Sequence, residues 1–309
     1  MNGQLVCWQE ATLHVSAHAL HYGSGVFEGI RCYATNDGPA VFRLDAHLDR
    51  LFASAEVYGI TIPYSHDELT TAVSEVIQWN GFESCYIRPI CYCGSGLLSL
   101  HPRSTPVEVA VLAWPWAPYL GAKGLERGVR LTVSPWRKFH SQMMPTTAKA
   151  CGQYLNSILA IRDAAARGYD EALLLDSYGD IAEGSGENLF IVRQGKLLTN
   201  TEDQSILLGV TRDSVIQIAH DLGYTLETRA LQLEELLTAD EAFLTGTAAE
   251  VTPIREVDGT HIGNGARGEV TAQIQRAFFA ATAGQEEKYK HWLRLVAPEP
   301  ALTSYSDLP

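Results

Sequence analysis

A change of rhythm along the chain constrains its fold more than any single motif. Up to about residue 114, strand-like and helix-like runs alternate. "VFEGIRCYAT" reads as a strand. "HLDRLFASAEVYGI" reads as a helix, with Leu48, Leu51, Phe52 and Ala55 on one face and Gly59 ending it. "HDELTTAVSEVIQWNGF" reads as a second helix, carried by Leu69, Val73, Val76 and Ile77, and "CYIRPICYC" and "VEVAVLAWPW" read as strands. Then "PWAPYLGAKGLERG" breaks the pattern with prolines and glycines and reads as a loop. Beyond it strands dominate: "VRLTVSPW", "EALLLD", "LFIVRQGKLLT" and "EAFLTG", the third as a hairpin turning at Gln194-Gly195. Helices are predicted over 152–167, 212–222 and 270–283, and the tail "APEPALTSYSDLP" reads as frayed. The expected class is α/β (α+β) in two domains. Residues 1–114 form a small α/β domain, 115–127 an interdomain loop, and 128–309 a larger strand-rich domain.

Charge and cysteine usage exclude several functions. The chain of 309 residues carries a formal net charge of −13 and no basic run, which argues against nucleic acid or an anionic membrane as partner. The start, "MNGQLVCWQEATLHV", lacks the basic and apolar regions of a signal peptide, and no run reaches the roughly 18 apolar residues of a membrane span. The six cysteines show only one close pair, Cys91 and Cys93, and most read as buried thiols of a reducing cytoplasm.

Four stretches could carry chemistry. In "MMPTTAKACGQYLNS", Lys149 is the one Asp, Glu, Lys or Arg residue between Lys138 and Arg162. A lysine in small, apolar surroundings is costly to keep charged, so its pKa falls and its amine becomes a nucleophile; the alternative is a helix-end lysine facing water. In "LLGVTRDSVIQIAHDLG", Thr211 sits where a helix N-cap belongs, after Gly209, and such a helix start suits a phosphate; the alternative is an ordinary capped helix. "FLTGTAAEVTP" adds a turn with hydroxyls at Thr245 and Thr247, able to close on the same phosphate. In "GDIAEGSGENLFIV", Glu183 is flanked by small residues that let a flat ligand approach; the alternative is a polar turn. No G-x-G-x-x-G or G-x-S-x-G motif is present. An amine, a carboxylate and a phosphate cup are the parts that pyridoxal 5'-phosphate requires.

The motifs "HALHYGSGVFEGIRCY", "YIRP", "TAKACGQYLNS", "GDIAEGSGENLFIV", "LLGVTRDSVI" and "FLTGTAAEVTPIREVDG" resemble, in order and spacing, the branched-chain amino acid aminotransferases of class IV, over roughly residues 5–295. The resemblance implies pyridoxal phosphate fold type IV, with a barrel-like sheet core and cofactor binding in the larger domain. It implies that Lys149 bonds the cofactor aldehyde and then moves the substrate proton. Tyr154 would meet the ring oxygen, Glu183 the ring nitrogen, and Leu207 one ring face. Arg50, Val210, Thr211 and Thr247 would bind the phosphate. Tyr22, Phe27, Gly29, Tyr86, Arg88, Trp116, Tyr119, Thr247 and Ala248 would form the substrate pocket. Aromatic walls suit an aliphatic side chain. Arg88 would meet the distal carboxylate of glutamate, whose burial without a partner would cost several kcal/mol.

The implied activity is transamination of L-leucine, L-isoleucine and L-valine with 2-oxoglutarate, in a cytoplasmic homodimer or larger homo-oligomer. The partners are small amino and 2-oxo acids, with no metal, membrane or nucleic acid. Tyr22 and the loop after Tyr92 are the segments expected to cross the subunit interface. The chain departs from the family pattern at Cys151, at Gln153 and in the loop from Cys93 to Glu108. That leaves open a specialised pathway acting on an unusual branched or aromatic amino acid. The sister activities are a D-amino acid or (R)-amine transaminase and an aminodeoxychorismate lyase. A non-catalytic binding protein is the rival from another class. A metal site on His14, His18 and His21 is disfavoured by their strand-and-loop context.

Overall fold

The computed structural model describes residues 1–101, 105–116 and 120–296. Tyr119 and the tail "APEPALTSYSDLP" lie outside these residues. A short helix α1 (His18–Tyr22) leads into strands β1 (Gly25–Phe27), β2 (Ile30–Thr35) and β3 (Gly38–Phe42). Helices α2 (Leu44–Val57) and α3 (His66–Trp79) follow, then β4 (Cys85–Cys93) and β5 (Val107–Trp114). Gly59 (φ 64°) supplies the left-handed turn beyond α2. A capping box starts α3: the Glu68 N–H donates to Ser65 Oγ (3.3 Å) and the Ser65 N–H to the Glu68 carboxylate (2.7 Å). Leu48, Leu51, Leu69, Val73 and Ile77 are buried against the sheet and form one core with Ile30, Ile87 and Val109.

The strand expected from "VFEGIRCYAT" is two strands. β1 pairs with residues 90–92 of β4 and β2 with residues 85–87, so they run end to end beside one partner. The break falls at Glu28-Gly29. A Cβ at Gly29 would lie 2.0 Å from the Tyr86 hydroxyl, so only glycine admits that ring. The Glu28 carboxylate turns into the core.

Much of "PWAPYLGAKGLERG", expected as loop, is helix α4 (Gly121–Arg127), which packs on a later strand and ends at Gly128 (φ 83°). The rest comprises β6 (Val129–Val133), α5 (Tyr154–Ala166), β7 (Glu171–Leu175), β8 (Ile181–Gly184), β9 (Asn188–Arg193) and β10 (Lys196–Thr199). Then come α6 (Val210–Asp221), β11 (Leu226–Thr228), α7 (Leu233–Leu237), β12 (Glu241–Gly246), β13 (Glu250–Val257), β14 (Thr260–His261), α8 (Glu269–Thr282) and β15 (Leu293–Leu295). Gln194 and Gly195, at φ 52° and 75°, make the β9–β10 hairpin turn.

Among the described residues there are two sheets. The first runs β1-β4-β2-β3-β15, with β5 on the far side of β4. The second runs β11-β10-β9-β12-β13-β6-β7-β8, with β14 beside β13, and it curls so that β8 turns back beside β9. The class is therefore mixed α/β with a curled, strand-rich second sheet. The C-terminal β15 returns to pair with β3 of the first sheet, a closure that crosses nearly the whole chain. Phe42, Phe278 and Trp292 pack edge to face there and tie the sheets together.

Candidate active site

Between the two sheets lies a cavity of about 280 Å³. Phe27, Gly29, Tyr86, Arg88 and Trp116 line it from the first half of the chain, with Arg50 from α2. Lys149, Tyr154, Glu183, Leu207, Val210, Thr211, Thr247 and Ala248 line it from the second. Tyr22 is not brought there: it sits half-exposed on α1, with its ring 4.6 Å from that of His18.

The backbone of Lys149 is clamped between β1 and α2. Its N–H donates to Ser54 Oγ (3.0 Å) and its carbonyl accepts from the Phe27 N–H (3.0 Å). Its Nζ is held 2.6 Å from Tyr154 Oη, with the Phe27 ring centroid at 5.1 Å. Burial, and then the Arg50 charge, bring the Lys149 amine down to about 8. Burial, then the Glu183 charge, push the Tyr154 phenol well up.

Glu183 lies on β8 with both oxygens occupied. One meets Lys138 Nζ at 2.6 Å; the other accepts from the Leu207 N–H (2.9 Å) and Asn188 Nδ2 (3.3 Å). One residue beyond Leu207, the Leu208 carbonyl accepts from Arg50 Nη1 at 2.8 Å. The segment from Leu207 to Thr211 therefore runs from the carboxylate to a cation and then into α6.

The N-cap of α6 is Gly209, not Thr211. Gly209 is extended there and provides no side-chain cap. A Cβ on it would lie 2.1 Å from Asn188 Oδ1, which explains the glycine. Val210 and Thr211 are buried, so the opening N–H groups of α6 have neither a cap nor bulk water. Thr245 Oγ1 on β12 is buried without a partner. Orphan donors and a cation at a helix start fit a phosphate. With the buried amine and the paired carboxylate, these residues fit pyridoxal 5'-phosphate.

Arg88 stands among rings: its Cζ lies 4.6 Å from the Phe27 centroid, 5.4 Å from Tyr86 and 5.9 Å from Trp114. Its Nη2 donates to Tyr86 Oη at 3.3 Å, and its Nε is buried without a partner. Tyr86 and Trp116 pack at 4.7 Å between centroids. Gln153 Nε2 donates to Tyr58 Oη (2.7 Å) and to the Pro145 carbonyl (2.6 Å), tying the segment before Lys149 to the end of α2. Sequence reasoning does not single out Lys138, Asn188 or Glu28. The one available signal is for Lys138, a second lysine close to the isolated Lys149.

The histidines have separate partners. His14 bonds Ser16, His18 bonds Ser24 and the Ser99 carbonyl, and His21 bonds the Val15 carbonyl. His18 and His21 lie on α1, a short helix rather than strand or loop. Among the described residues no cluster is arranged to hold a metal ion, and no helix is long and apolar enough to cross a membrane.

A two-sheet α/β fold with this cavity defines a pyridoxal phosphate enzyme. The model of the family described as amino-transferase class IV matches residues 25–257. A branched-chain-amino-acid aminotransferase of Pseudomonas aeruginosa is 45% identical over 295 residues, covering 96% of each chain. A T.th. branched-chain amino acid aminotransferase with pyridoxamine 5'-phosphate superposes with TM-score 0.93 at 47% identity, covering 96% of this chain and 97% of that one. The T.th. enzyme complexed with N-(5'-phosphopyridoxyl)-L-glutamate gives TM-score 0.91 at 46% identity, with the same coverage. The chain belongs to the class IV aminotransferase family.

Proposed function

We propose that this protein transfers the amino group of L-leucine, L-isoleucine and L-valine to 2-oxoglutarate, giving branched 2-oxo acids and L-glutamate. The observation that carries this reading is Arg88 within its aromatic wall. The rings Phe27, Tyr86 and Trp116 accept an aliphatic side chain, and the guanidinium accepts a second carboxylate in the same space. The names of the similar enzymes support the same substrate class.

Pyridoxal 5'-phosphate, when bound, supplies an aldehyde that takes up the amino group and a ring that draws electrons from the substrate Cα. Arg50, the N–H groups of Val210 and Thr211, and Thr247 would bind its phosphate. Glu183 would accept the proton-bearing ring nitrogen, with Lys138 and Asn188 holding the carboxylate in position. Tyr154 would hydrogen-bond the ring oxygen, and Leu207 would cover one ring face. Lys149 Nζ would take the proton from the substrate Cα and deliver it to the former aldehyde carbon. An amine brought down to about 8 is well matched to that transfer near neutral pH. Arg88, Tyr86 and the turn at Thr247-Ala248 would orient the substrate.

The reading extends to a cytoplasmic homodimer or larger homo-oligomer, divided at residues 115–127 into small and large domains. The exposed Trp8, Leu20 and Tyr22 support assembly, and Tyr22 would reach a substrate only from a neighbouring copy. Steady-state turnover tests the proposal. L-Leucine with 2-oxoglutarate should yield L-glutamate with parallel double-reciprocal lines. Turnover of D-leucine instead, or indifference to 2-oxoglutarate, would contradict it.

A further inference from the structure

We propose that Glu28 and His47 form a buried seat that aims Arg50 at an anionic group in the cavity. This rests on the reading of Arg50 as a phosphate ligand and adds two positioning residues behind it.

Glu28 lies where the strand breaks between β1 and β2, and it is 0% exposed. Its Oε1 accepts from Arg50 Nε (2.6 Å). Its Oε2 accepts from Arg50 Nη2 (2.8 Å), from His47 Nδ1 (2.7 Å) and from the Gly29 N–H (3.2 Å). Burial alone would raise this carboxyl. Arg50 and His47 outweigh it and hold Glu28 far below the usual carboxylate range. Burial brings His47 down, against the pull of Glu28. With a carboxylate oxygen 2.7 Å away as acceptor, His47 donates from Nδ1.

A guanidinium has five N–H donors in a fixed plane. Glu28 takes one from Nε and one from Nη2, and the Leu208 carbonyl takes one from Nη1. One donor remains on each of Nη1 and Nη2. Arg50 itself lines the cavity. A planar group gripped along one edge can present only the other, so the seat fixes which way the free pair faces.

Stability alone does not explain the arrangement. A buried ion pair is often no better than apolar packing of the same volume, and this one sits in a broken strand. It has a second effect: Arg50 depresses the Lys149 amine and Glu28 partly restores it. The seat thus offsets one of the cations crowded beside the same small cavity.

The test compares two ligands on the full-length chain freed of cofactor: pyridoxal 5'-phosphate, and pyridoxal, which lacks the phosphate. Glu28→Gln should weaken the phosphorylated ligand on the order of 10- to 100-fold, the range seen when outer partners of a ligating group are removed. Pyridoxal affinity should stay within about twofold. Arg50→Ala should show the same selectivity, and the double variant should bind no more weakly than Arg50→Ala alone. Glu28→Asp, which keeps the charge, should recover part of the loss. Equal weakening of both ligands by Glu28→Gln, or none, while Arg50→Ala stays selective, would overturn the seat. Failure of Arg50→Ala to discriminate would instead remove the phosphate reading beneath it. Where Glu28→Gln does not fold, His47→Leu removes one bond to the same carboxylate. It should give a smaller phosphate-selective loss, and unchanged binding would overturn the proposal.

Discussion

Lys149→Ala is expected to abolish turnover, by roughly 10⁴-fold or more, and with it the visible absorbance of lysine-bound cofactor. The size follows from two roles in one atom. Nζ is the amine that would hold the aldehyde, and it is the base that would carry the Cα proton. Nothing else among the described residues lining the cavity can replace it. Tyr154 Oη is 2.6 Å away, but burial pushes its phenol well up, so it stays protonated. Lys138 is committed to Glu183 at 2.6 Å. The same lysine sets a pH dependence. The neutral amine is the reactive form, so cofactor uptake by the stripped protein should accelerate as pH rises through about 8, well below the ordinary lysine value of 10.5. Normal turnover in Lys149→Ala would sink the assignment, and a midpoint near the ordinary lysine value would contradict the buried, cation-crowded site.

Arg88→Ala is expected to separate the two substrate classes. It should lower kcat/KM for L-glutamate and 2-oxoglutarate by about 100-fold or more, because their distal carboxylate would be buried with no cation. L-Leucine should lose about tenfold or less, through the packing of the guanidinium on Phe27 and Tyr86. Equal losses would assign Arg88 to the common part of the substrates or to the fold itself.

Local features are legible in the sequence, and features assembled across the chain are not. Lys149 stands out because its neighbours in sequence are also its neighbours in space: Tyr154, which meets its amine, is five residues on. The hairpin at Gln194-Gly195 and the helix over 66–79 are legible because turn chemistry and capping are written in adjacent residues. Glu28 reads as one letter in a strand. Its partners, His47 and Arg50, lie 19 and 22 residues further on, on α2. Lys138 meets Glu183, 45 residues further on, only because β6, β7 and β8 lie side by side. Helix α4 reads as loop because Gly121 and Gly124 weaken local propensity, while packing on β13 settles the conformation. No periodicity predicts that β15 pairs with β3. The N-cap of α6 falls two residues before the expected Thr211, whose hydroxyl invites capping. The chain instead uses a bare glycine, which leaves the N–H groups of α6 for a ligand.

The most direct test is a half-reaction on the purified cofactor-loaded protein, with one amino acid and no acceptor, followed by visible absorbance. Rapid bleaching by L-leucine, L-isoleucine, L-valine and L-glutamate is expected, with recovery on adding 2-oxoglutarate. Bleaching by D-amino acids or simple amines alone, with no response to L-glutamate, would contradict the proposed transamination.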